Sequence, residues 1–109
     1  MGLFMIHELR EYIALPGRAE ELHRRFADET LALFTELGLQ VEGFWHEVGN
    51  RDRIVYLVAF PDAEAATAHW ARFKADPRWL ALKARTESDG PLISEIRSTL
   101  MVTPDYARP

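Results

Sequence analysis

Hydrophobic and polar positions change period several times along the chain, and each change marks an element. From 3 to 14 they alternate. Met5, His7, Leu9, Glu11 and Ile13 would share one side of a strand, and Ile6, Glu8, Arg10 and Tyr12 the other. Pro16-Gly17 breaks that run. From 18 to 37 the period becomes helical: Leu22, Phe26, Leu33 and Leu37 form a stripe, with Ala19, Thr30 and Phe34 beside it. Arg18, Glu21, Arg25, Asp28 and Glu36 supply the wet face, and Gly38 is a natural stop.

Residues 40 to 48 predict a second strand, and Gly49-Asn50-Arg51-Asp52 a turn. Residues 53 to 60 are β-branched and aromatic after Arg53. That pattern predicts a central strand covered on both faces and hairpinned to the second. Asp62 can cap the next helix, 63 to 75, with Ala66, Trp70 and Phe73 on its stripe. Asp76-Pro77 restarts a helix over 77 to 86, with Trp79 and Leu82 apolar. Asp89-Gly90-Pro91 turns the chain into a last strand, 92 to 102, and 103 to 109 read as a loose tail.

The order strand, helix, strand, strand, helix, strand predicts an α+β, ferredoxin-like βαββαβ fold. Its four-stranded antiparallel sheet would carry both helices on one face. With 109 residues there is room for one domain, 1 to 109, its core over 3 to 103. The other sheet face is left bare, and Tyr12, Trp45 and the third strand are expected to need cover there. An uncovered apolar face is an interaction surface, so pairing with a second copy is expected.

Composition narrows the function classes. Hydrophobic residues are 48% and charged residues 28%, ordinary for a domain with a real core. The net charge is −4 and no basic run exceeds His23-Arg24-Arg25, so no nucleic-acid partner is expected. There is no cysteine, which removes disulfides, thiolate nucleophiles and Cys-ligated metals. No apolar run approaches the ~18 residues of a membrane span. Met1 to Ile6 is too short for a signal-peptide core, and a cytoplasmic location is expected.

An ordered set of residues resembles the NIPSNAP family. It runs through Glu8-Leu9-Arg10-x-Tyr12, Pro16-Gly17, Gly43-x-Trp45, Gly49-Asn50 and Tyr56-Leu57. It ends with the stretch from Trp70 through Asp76-Pro77-Arg78-Trp79. The resemblance covers residues 6 to 103. NIPSNAP proteins are similar to the wider dimeric α+β barrels, which include small antibiotic-biosynthesis monooxygenases, EthD-like proteins and haem-degrading relatives. The resemblance implies a homodimeric barrel and does not name a reaction.

Glu8, Arg10 and Tyr12 are the leading candidate site. Spacing by two places a carboxylate, a guanidinium and a phenol on one face of one strand. Together with Trp45 and Tyr56 they could edge a cavity between two sheets that holds a small apolar or aromatic ligand. Glu8 could serve as a general base if burial raised its pKa. The structural alternative is an ion pair of Glu8 or Arg10 with Glu95 or Arg97 of the fourth strand. Gly43 would make room for Trp45 on its own face.

His7, His46 and His69 could ligate a metal only by converging, and no HExxH or HxxxH spacing occurs. His7 and His46 read as partly buried strand residues and His23 as surface. Haem held by one His is a further alternative. No phosphate loop, GxSxG or CxxC is present, and no cofactor is expected. Three roles remain open: ligand binding, a non-catalytic interaction module, and monooxygenase-like or haem chemistry.

Overall fold

A computed structural model describes residues 6–108. The elements are β1 (Ile6–Ala14), α1 (Ala19–Arg25), a π-helical turn (Phe26–Thr30), α2 (Leu31–Glu36), β2 (Gln40–Glu47), β3 (Asn50–Phe60), α3 (Ala63–Ala75), α4 (Pro77–Thr86), β4 (Ile93–Val102) and a final 3₁₀ turn (Asp105–Ala107). The strands form one antiparallel sheet in the order β2-β3-β1-β4, the α+β ferredoxin-like arrangement. β3 is central, as its apolar run requires. The first part of the expected opening strand, residues 3 to 5, lies outside the described residues.

Local chemistry explains the breaks. Gly38, at φ +80°, ends α2 where an L side chain would be strained. Asp62 accepts the Ala65 amide at 2.7 Å, and Asp76 accepts the Arg78 amide at 2.8 Å with Pro77 at the first helical position. The hairpin between β2 and β3 is tighter than its composition suggests. The turn is Val48-Gly49, because Glu47 already pairs with Asn50, and Gly49 adopts φ +78°.

The helix from 19 to 36 is not uniformly α. Its backbone stays helical throughout, but the turn Phe26–Thr30 is π, with the Leu31 amide bonded to the Phe26 carbonyl. Arg25 was expected on the wet face and is instead buried. It flanks the apolar stripe closely enough for its stem to pack inward, where its head group finds Glu87 at 2.8 Å. The core lies between the sheet and the helices. Leu22, Phe34, Tyr56, Phe60 and Leu92 are among its fully buried members.

One expectation about faces fails. Tyr12 does not sit on the bare face; it is buried under the helices against Phe26, with ring centroids 5.6 Å apart. Register decides this. Arg10 pairs with Tyr56 and Tyr12 with Ile54, and β3 turns Ile54, Tyr56 and Val58 toward the helices. Trp45 pairs with Val55, opposite Glu11, so it lies on the far side of the sheet and is 55% exposed.

Candidate functional site

β1 carries the site. Alternation turns Glu8, Arg10 and Tyr12 toward the helix layer, with Tyr56 beside them on β3. Glu8 is buried and receives three donors. The Trp70 indole donates at 2.7 Å, Ser98 at 2.6 Å and Arg10 Nη1 at 3.1 Å. Three of the carboxylate's roughly four lone-pair sites are thus taken, and Glu8 orients its neighbours from behind the cleft wall. The expected ion pair with Glu95 or Arg97 does not form. The register sets Ser98 opposite Arg10 and Arg97 opposite Glu11, and Arg97 pairs with Glu95 along its own strand.

Arg10 lies over the Trp70 ring, its guanidinium carbon 4.3 Å from the centroid, and donates through Nη2 to the Tyr12 hydroxyl at 3.1 Å. Burial opposes its charge, but the phenol groups of Tyr12 and Tyr56 outweigh that, and its pKa is raised above the ordinary arginine value. The Tyr12 and Tyr56 hydroxyls are 2.8 Å apart. Burial drives the Tyr56 pKa well above that of free tyrosine, with Tyr12 adding to the rise and Arg10 opposing it.

Beside this chain a cleft of about 640 Å³ opens between the sheet and the helices. Arg10 and Tyr12 wall one side. Phe26, Phe34, Trp70, Phe73 and Trp79 supply aromatic surface, and Leu80 and Ile96 are exposed where they line it. The volume falls within the ~300–1,000 Å³ of small-molecule pockets. At the far wall Arg25 donates to Glu87 at 2.8 Å and Thr86 at 3.1 Å, and sits 5.0 Å from the Trp79 ring centroid.

The π turn leaves a mark on this wall. Helical threonines often return their hydroxyl to the carbonyl four residues back, as Thr35 and Thr67 do here. Thr30 makes no such bond, and its buried hydroxyl has no partner; the Phe26 carbonyl, four residues back, accepts the Leu31 amide instead. The Arg10 Nε is likewise buried and without a partner.

The five expected site residues therefore separate. Arg10 and Tyr12 line the cleft, Glu8 and Tyr56 stand behind them, and Trp45 lies on the opposite sheet face. Trp45 folds over Gly43 as expected: a Cβ on Gly43 would meet the indole at 2.3 Å. Sequence reasoning missed Phe26, Thr30, Phe34 and Arg25 as wall residues and Ser98 as a partner of Glu8. An indole without an obvious acceptor on an apolar helix stripe, Trp70, was the one available signal. Among the described residues no group of three or more His, Asp or Glu could hold a metal. His46 is exposed rather than partly buried, edge-on to His23. Among the described residues no helix is long and apolar enough to cross a membrane.

The fold is a ferredoxin-like α+β domain of the kind shared by NIPSNAP proteins and an antibiotic-biosynthesis monooxygenase. The NIPSNAP family model matches residues 7–108, and the chain belongs to that family. It is similar to a NIPSNAP family protein of unknown function from Agrobacterium tumefaciens, at 28% identity, covering 91% of this chain and 87% of that one with a TM-score of 0.73. An uncharacterized NIPSNAP-like domain protein from Burkholderia xenovorans superposes with a TM-score of 0.80 at 22% identity, over 97% of this chain and 90% of that one. SnoaB, a cofactor-independent oxygenase from Streptomyces nogalater, shares the fold with a TM-score of 0.63 at 17% identity, over 93% and 94% of the two chains. No curated protein matches significantly.

Proposed function

We propose that this NIPSNAP domain binds a small, flat organic molecule in the cleft between β1 and the helices, and works as a homodimer joined through the bare sheet face. One observation carries the binding reading. A polar chain, Glu8–Arg10–Tyr12–Tyr56, is built under the helices, and its Arg10 and Tyr12 emerge in the wall of an aromatic cleft of about 640 Å³. A chain of buried polar groups costs stability unless each member is satisfied, so its presence beside an open cleft favours a ligand. Pairing is supported by the opposite face, where Trp45 is exposed and Leu9, Val55 and Leu57 are only partly covered.

The test is thermal stabilisation against a library of flat organic molecules. A ligand at 100 times its Kd stabilises the folded state by about 2.7 kcal/mol. Ile96 is half-exposed where it lines the cleft, so Ile96→Trp fills the space without disturbing the core. Hits should raise the melting temperature of the wild type and not of Ile96→Trp. Absence of any hit, or equal shifts in both proteins, would sink the reading.

A further inference from the structure

The hydrogen-bond inventory of the cleft is unbalanced, and the imbalance has a sign. Tyr12 Oη accepts from Arg10 Nη2 and shares one hydrogen bond with Tyr56 Oη. Only one proton can lie between the two phenols. Tyr56 is fully buried, does not line the cleft, and has no side-chain acceptor for its proton other than Tyr12 among the described residues. If Tyr12 donated to Tyr56, the Tyr56 proton would be stranded in apolar core, at the full cost of an unmet buried donor. Tyr56 therefore donates to Tyr12. That leaves the Tyr12 proton without an acceptor among the described residues, on a residue that lines the cleft. Two donors already rest on the Tyr12 oxygen, which polarises its own O–H further.

Charge points the same way. Arg10, Arg25, Lys74 and Lys83 line the cleft against Glu87 and Glu95, a net of +2, in a chain whose net charge is −4. Glu8, behind the wall, is ion-paired with Arg10 at 3.1 Å and lowers that surplus by one, to +1, so the balance stays positive. Thr30 adds an unpartnered hydroxyl in the same wall. A donor-rich, net-positive pocket lined by Phe26, Phe34, Trp70, Phe73 and Trp79 complements one chemistry: aromatic rings ending in an anionic oxygen.

Resting on the reading of the cleft as a binding site, we propose that its ligand class is ionised aromatic acids, carboxylates or phenolates. The anionic oxygen accepts the Tyr12 phenol proton beside Arg10, and the rings pack on the aromatic wall.

Calorimetric titration with matched probes tests this. 2-Naphthoate, 2-naphthamide and 2-naphthylmethylammonium share a ring system and differ in charge. Naphthoate should bind about tenfold tighter than the amide, the scale of one charge-assisted hydrogen bond, and the ammonium weakest. Tyr12→Phe should erase the naphthoate advantage and leave the amide within about twofold. That change strands the Tyr56 hydroxyl, so Tyr12→Phe/Tyr56→Phe, which removes both phenols at the cost of the Arg10 Nη2 bond, must lose the same advantage while its circular dichroism shows it folded. Lys74→Gln/Lys83→Gln should reduce naphthoate affinity and its salt dependence without changing the amide. Equal binding of acid and amide, or an advantage that survives the double phenylalanine variant, overturns the assignment of the ligand class. So does a library in which only neutral or cationic molecules stabilise the wild type; that outcome leaves the cleft itself a binding site. Silence of every molecule in both assays removes the binding reading as well.

Discussion

Tyr56 concentrates the residue-scale argument. Its hydroxyl is buried, bonded to Tyr12, and held neutral by an environment that raises its pKa. An acid whose folded pKa exceeds its unfolded value supports the fold fully below the unfolded pKa, about 10 for tyrosine, and loses that support as pH rises toward the folded value. Urea unfolding between pH 9 and pH 11 should therefore show stability falling, with up to about 1.4 kcal/mol per pH unit traceable to this one proton. In Tyr56→Phe that part of the slope should vanish. An unchanged slope would mean that the Tyr56 proton does not control alkaline stability. Little of this was legible beforehand. Spacing by two put Glu8, Arg10 and Tyr12 on one face, but nothing in their order says that Trp70 and Ser98 will donate to Glu8. Those partners lie 62 and 90 residues away along the chain and arrive only when α3 and β4 close over β1.

At the scale of elements, the boundaries were largely readable because they rest on local chemistry. Asp62 and Asp76-Pro77 start helices through bonds made within three residues. Asp62→Ala should cost about 1 kcal/mol and lower the melting temperature by roughly 4–8 °C, the range for domains of this size. A calorimetric scan that shows no loss would remove the capping account. The π turn was not readable. A stripe of Leu22, Phe26, Thr30 and Leu33 suits a plain α-helix equally well, and one wider turn is selected by what the helix must cover. Beside it lie an inward Arg25 and a Thr30 hydroxyl without a partner, which the stripe does not announce either.

The whole molecule is a thin slab, 46 × 34 × 19 Å, one sheet under one layer of helices. Stacked layers sit about 10 Å apart, so among the described residues no second layer stands behind the bare face. Trp45 stands on that face, over Gly43. Placing a carboxylate there should not disturb the helix-side core but should oppose burial against a second sheet. Trp45→Glu is expected to run as a monomer in light scattering where the wild type runs as a dimer, with its far-ultraviolet dichroism unchanged. A wild type that is monomeric, or a variant that stays paired, would defeat the proposed interface.

By itself the sequence determined the order of the elements and the starts of the later helices, the central place of β3, and the sharing of one face by Glu8, Arg10 and Tyr12. Each of these depends on periodicity, caps and turn residues acting over a few positions. Only the tertiary structure decided which face that is. A strand's alternation is symmetric until register and packing say which side meets the helices, and here Tyr56 and Trp70 settle it toward them. The same packing separated Trp45 from its expected companions. It also opened a cleft between the sheet and its own helices, lined by Arg10 and Tyr12.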